Sequence, residues 1–204
     1  MFVSSGRFDW LMAWVYVGVY VGIVLVNVMI ILPKNPELIA ERAKVKENTK
    51  GWDRILIGIV GVFTLAILVV AGLDLRFGWS PRIALAIQLM ALVFVVFGYG
   101  LVSWAMASNR FFSRSVRIQK DRGQIVATAG PYQYVRHPGY VGMITCSVAA
   151  PLLLGSLWGL IPAALTACAF VIRTALEDKT LQDELNGYRD YAQRVRYRLV
   201  PKIW

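Results

Sequence analysis

Between Trp10 and Leu32 the chain runs 23 residues without a single charged side chain. As a helix that stretch crosses roughly 30 Å of hydrocarbon, the thickness of a bilayer core. Two more uncharged runs, Ile55 to Leu73 and Ile83 to Ala107, have the same character. Three such segments in 107 residues leave little room for a soluble core, and with 57% apolar residues a soluble domain of this size could not hide them all. The mean hydropathy of +0.56 agrees. Pro33-Lys34-Asn35-Pro36 follows the first run in place of a small-residue cleavage site. That run therefore reads as a retained span, not a signal peptide.

Ser80-Pro81 suggests an N-cap and first helical residue for the third span. The next apolar stretch, Gly139 to Ile172, is interrupted by Pro151, Gly155, Gly159 and Pro162. It reads as two helices joined by a tight turn near the far side of the membrane. The first of them, at about 16 residues, rises only roughly 24 Å, so it must be extended, tilted or shielded. The expected fold is an all-α integral membrane protein with about five transmembrane helices, the last two a helical hairpin, and a cytosolic C-terminal helix. It forms one membrane domain over 1–204, with a three-span half (1–107) and a C-terminal half (108–204) containing a loop, the hairpin and the tail.

The net charge of +10 could suggest nucleic acid, but the placement of the charges explains it better. Of 22 Lys and Arg residues, six fall in 33–54, six in 108–138 and seven after Ile172; only Arg7, Arg76 and Arg82 lie elsewhere. Five spans put nineteen of them on one side, as expected for a cytoplasmic face. The expected topology has the N-terminus outside and the C-terminus cytoplasmic, with the bilayer as partner and no nucleic acid. Spans one to three carry no ionisable group other than Tyr. A transporter usually shows charges along its path, which disfavours a carrier or channel.

Other features have plain readings. Gly18 and Gly22 form a small-xxx-small pair suited to close approach of a neighbouring helix. Cys146 and Cys168 lack CxxC spacing and face a single histidine, so no metal is expected. Asn35 to about Asn48 reads as an interfacial helix or a solvated loop.

Chemistry concentrates in two places. In Gly130-Pro131-Tyr132-Gln133-Tyr134-Val135-Arg136-His137-Pro138-Gly139-Tyr140, the chain's one histidine precedes a helix start, where an anion is favoured by the helix N-terminus. An aromatic, basic membrane belt is the alternative reading. Further along, Arg173 and Glu177 are four apart on one helix face, with Asp178 beside them and Leu181, Leu185 and Tyr188 forming an apolar seam. They are either an intrahelical ion pair or a holder for a zwitterion near lipid.

The order of these motifs, Arg-His-Pro-x-Tyr, then a hairpin, then Arg-x-x-x-Glu-acid-x-x-Leu and a Gly-Tyr-x-x-Tyr tail, resembles the isoprenylcysteine carboxyl methyltransferase family, related to the phospholipid methyltransferases. The resemblance covers roughly Arg117 to Pro201. It implies a membrane methyltransferase using S-adenosylmethionine. Gln124, Ile125, Val126, Ala127 and Tyr132 would line the cofactor, His137, Pro138, Gly139 and Tyr140 would hold its amino-acid end, and Glu177 would meet its ammonium. Arg173 would face a lipophilic or prenylated acceptor. Gln124 stands where relatives often have histidine, and Asp178 where they have a second glutamate.

No GxGxxG fingerprint follows a strand, so the soluble dinucleotide-binding solution is absent. The nucleophile stays open. A carboxylate acceptor, already ionised at neutral pH, needs a cation such as Arg173 to orient it. A lipid amine needs a proton acceptor, for which Asp178 is the candidate. Arg173 and Asp178 are thus the candidate catalytic residues.

Overall fold

The computed structural model describes residues 1–34 and 49–204. The polar segment ending near Asn48 lies outside the described residues. Seven α-helices are described: α1 (Phe2–Ser5), α2 (Leu11–Lys34), α3 (Gly51–Phe77), α4 (Leu85–Ser108), α5 (Pro138–Leu153), α6 (Leu160–Glu184) and α7 (Tyr188–Arg194). Single 3₁₀ turns at Lys120–Arg122 and Gly130–Gln133 punctuate the loop before α5, and no strand occurs among the described residues.

Four helices, α2, α3, α4 and α6, are long and apolar enough to cross a membrane, while α5 is a shorter apolar helix. The expected hairpin forms: α5 has 16 residues, the 154–159 turn follows, and α6 returns. α5 is shielded by its neighbours, since it packs along α4 and α6 and also touches α3 and α2. The α4–α5 crossing is tight because both helices present glycine there. A Cβ on Gly98 would fall 2.7 Å from the Gly142 carbonyl oxygen, so the absence of a side chain lets the backbones meet. Gly18 and Gly22 serve no such crossing, for nothing lies within 4 Å of where their Cβ atoms would be. Much of α2 instead presents apolar side chains outward.

Ser80 does not cap a helix. α4 begins at Leu85, four residues after Pro81. Ser80 is drawn away by a buried carboxylate: its N–H donates to Asp74 Oδ1 at 2.7 Å and its hydroxyl to Asp74 Oδ2 at 2.6 Å. The Ser156 hydroxyl joins them at 2.5 Å and the Leu157 N–H donates to Ser80 Oγ at 2.9 Å, which ties the α3–α4 connection to the hairpin turn. α1 packs on the same end of α3.

The C-terminal region also differs in one respect. α6 continues unbroken through Arg173 to Glu184, and Leu185 ends it in extended conformation. Gly187, at φ 81, adopts a left-handed turn that suits a residue without a side chain, and α7 then folds back. The seam residues are therefore divided, with Leu181 on α6, Leu185 in the link and Tyr188 on α7. They still share one core, in which Leu185, Tyr188 and Tyr191 pack with Tyr132 and Ala105 against Phe112, Ile118, Val126 and Leu181.

Candidate active site

A cavity of about 290 Å³ opens between α3, α5, α6, the 109–127 loop and α7. It lies at the end of the bundle opposite the Asp74 knot. That volume is at the small end of the range for small-molecule sites. Of the ten residues expected to hold a cofactor, nine line it: Gln124, Ile125, Val126, Ala127, Tyr132, His137, Gly139, Tyr140 and Glu177. Pro138 does not; it is fully buried as the first residue of α5, where its fixed φ and missing N–H cost the helix nothing. Arg173 lines the cavity, and Asp178 does not. Tyr134, part of the aromatic cluster, is 64% exposed and contributes nothing to the lining.

The two arms of the hairpin build the polar wall, from the start of one and the far half of the other. α5 begins at His137-Pro138, and α6 brings Arg173 and Glu177 alongside it. The Tyr140 hydroxyl donates to Glu177 Oε2. Tyr140 stacks on His137 with centroids 5.8 Å apart and meets Phe170 at 5.6 Å, while the Arg173 guanidinium lies 5.5 Å from the Tyr140 ring centre. The Arg173–Glu177 pair suggested by their spacing does not form; the charge partner of Arg173 is Asp53, at 2.7 Å from Nε.

Asp178 anchors this wall from behind. It is fully enclosed and takes both forks of Arg136, Nε to Oδ1 at 2.7 Å and Nη2 to Oδ2 at 3.0 Å. The Arg198 Nε at 3.0 Å, the Gln182 amide at 2.7 Å and the Tyr188 hydroxyl at 3.0 Å donate as well, and His137 Nε2 lies 3.2 Å from Oδ1. A carboxylate offers about four lone-pair sites, so this one is saturated. Its contact with His137 Nε2 leaves Nδ1 as the ring nitrogen available to the cavity.

The tail completes the enclosure. Arg136 Nη1 donates to the carbonyls of Val195 and Arg196 at 2.9 and 2.8 Å. The N–H groups of Arg136 and His137 donate to the carbonyls of Tyr197 and Arg198, both at 2.9 Å. The Tyr191 hydroxyl donates to the Tyr132 carbonyl at 2.7 Å. Burial raises the Tyr132 hydroxyl above its ordinary pKa against an opposing hydrogen bond from Asn109, and burial followed by the charge of Asp178 raises Tyr188. Both remain neutral donors at any physiological pH.

Several lining residues are not evident from the motif. Arg136 sits inside Arg-His-Pro, yet only its neighbour reads as a ligand. Tyr188 and Tyr191 appear in sequence as a tail pattern without a role. Asp53, which lies behind the lining, stands two residues before an apolar run, where an acid ordinarily reads as a solvated flank, and only the packing of α3 on α6 reveals its partner.

The class defined by fold and site is a multi-span helical membrane protein with a polar cavity at one end of its bundle. Residues 90–183 match the isoprenylcysteine carboxyl methyltransferase (ICMT) family model. Over 70 residues the chain is 37% identical to protein-S-isoprenylcysteine O-methyltransferase of Schizosaccharomyces pombe, an alignment covering 34% of this chain and 30% of that protein. The chain thus aligns with less than a third of that relative's length. The Arg-His-Pro and Arg-x-x-x-Glu motifs both fall inside residues 90–183, the span that is similar to the ICMT family.

Proposed function

We propose that this protein is a membrane methyltransferase that takes S-adenosylmethionine in the cavity and methylates the carboxylate of a lipid-like, isoprenylcysteine-type acceptor. The observation that carries this reading is the convergence of His137, Arg173 and Glu177, remote in sequence, on one cavity.

The residues present suit the donor. It is a zwitterion at its amino-acid end, and the cavity offers the Glu177 carboxylate for the ammonium and the α5 N-terminus, beside the His137 ring, for the carboxylate. Gly139 is packed so closely that a Cβ would lie 2.8 Å from the Phe112 ring, so no side chain covers the helix start. Ile125, Val126, Leu181 and Leu185 give an apolar bed for the nucleoside. When bound, the donor supplies a methyl group on a positively charged sulfur.

The chain's own part is to bind and orient. Positioning a nucleophile within about 3–3.5 Å of its target supplies most of what the protein can give such a reaction. A carboxylate acceptor needs no base, and of the buried arginines that line the cavity, Arg117, Arg136 and Arg173, the last stands against Tyr140 and suits it. Ile57, Val60, Met143 and Phe170 line the same cavity and suit an apolar chain entering beside the carboxylate. The amine alternative loses support because Asp178, its proposed proton acceptor, is saturated and lies behind the wall. We assign Asp178 to positioning: it fixes His137 and Arg136. The charge distribution favours placing this end of the bundle in the cytoplasm.

The test is transfer of labelled methyl from S-adenosylmethionine to native lipid extract and to an N-acetylated S-farnesylcysteine, by purified protein in lipid nanodiscs. An alkali-labile product supports the carboxylate reading. A stable label, or none, overturns it.

A further inference from the structure

We propose that Asp53 is the positioning residue that decides how Arg173 meets the methyl acceptor, an inference that rests on the carboxylate reading above. Asp53 lies on α3, outside the residues matched to the family. It is fully enclosed. Oδ1 accepts from Arg173 Nε at 2.7 Å, while Oδ2 accepts from Arg173 Nη2 at 3.2 Å and from the Val116 N–H at 2.7 Å. Arg173 Nη2 also donates to the Arg114 carbonyl at 2.5 Å. Two of the three guanidinium nitrogens are thereby spent inside the protein. Nη1 is the one without a partner among the described residues, in a side chain that lines the cavity.

This changes what Arg173 can do. A free guanidinium would grip a carboxylate through both oxygens. Held by Asp53, it offers Nη1 alone and so orients the acceptor through one oxygen. The other oxygen keeps its lone pair for attack. In the transfer that oxygen bonds to the methyl carbon, the carbon–sulfur bond breaks, its electron pair goes to sulfur, and no proton moves. Asp53 also offsets the charge of Arg173, which limits binding of the ground-state carboxylate that would not help the transition state.

The experiment compares wild type, Asp53→Asn, Arg173→Gln and the double variant in nanodiscs. It measures kcat and KM for methylation of N-acetylated S-farnesylcysteine, and Kd for S-adenosylhomocysteine by calorimetry. Asp53→Asn should lower kcat by about 10- to 100-fold through misplacement of the arginine, with acceptor KM unchanged or lower. The Kd for S-adenosylhomocysteine should stay within about twofold of wild type, and the double variant should be no slower than Arg173→Gln alone, because Asp53 acts only through that arginine. Wild-type kcat in Asp53→Asn, extra loss in the double variant, or donor-site affinity lost together with turnover would overturn the proposal. If Asp53→Asn does not fold, the double variant, which removes both charges, decides against Arg173→Gln. A wild-type protein that binds S-adenosylhomocysteine yet leaves the acceptor unmethylated overturns the carboxylate reading and this proposal together; an active wild type with a silent Asp53 overturns this one only.

Discussion

Asp53 and Asp74 are carried by the same helix, twenty-one residues apart, and both are buried. At 1.5 Å per residue they are separated by about 32 Å, close to the thickness of a hydrocarbon core. Their surroundings differ. Asp74 is met by two serine hydroxyls and a backbone N–H, all neutral, and the knot closes the connections at its end of the bundle. Asp53 is met by an arginine, beside a cavity. A carboxylate satisfied by neutral donors closes a fold locally, whereas one matched to a buried cation holds that cation in place for something else to use.

The contrast can be broken at either end. The largest effect is expected from Asp178→Ala, which leaves Arg136 and Arg198 without their shared counter-charge. Loss of one partner from a buried pair costs about 3–5 kcal/mol, and both thermal stability and S-adenosylhomocysteine affinity should collapse together. Next comes Glu177→Gln. Removing a hydrogen bond to a charged group costs about 1.5–3 kcal/mol, so calorimetry should show product affinity reduced by that amount while the melting temperature holds.

At the other pole, Asp74→Asn should cost about 1–2 kcal/mol of stability and leave product affinity and methyl transfer at wild-type levels. A loss of transfer there would mean that the two poles are coupled. The smallest effect concerns pH. Burial keeps the Tyr132, Tyr188 and Tyr191 hydroxyls protonated in the fold at a pH where the unfolded chain has begun to lose those protons. Their contribution to stability is intact below about pH 10 and is lost as pH rises above it. Thermal unfolding between pH 8 and 11 should show the decline, less steeply in a Tyr188→Phe variant.

Much of the fold is legible in the chain because lipid imposes a simple rule. Every backbone polar group in the hydrocarbon must be satisfied within a helix, so runs such as 10–32 and the Pro- and Gly-interrupted hairpin declare themselves. The helix starts are less legible. Ser80-Pro81 has the composition of a cap, but a buried carboxylate competes for the same hydroxyl, and that competitor is visible only in three dimensions. That the 124–127 loop, His137 and Glu177 meet at one cavity was implied by the family resemblance. Arg136 and Tyr188 could not be placed, since their partners are 42 and 10 residues from them in sequence.

The sequence by itself determined that the chain is helical and apolar enough to cross a membrane several times, and it pointed to segments that line one cavity, because hydropathy and charge act residue by residue. Only the tertiary structure decided which acid meets which arginine. Arg173 stands four residues from Glu177 on one helix, yet it pairs with Asp53 across 120 residues. A buried charge takes the partner that packing brings within hydrogen-bond distance, and proximity along the chain has no say in that.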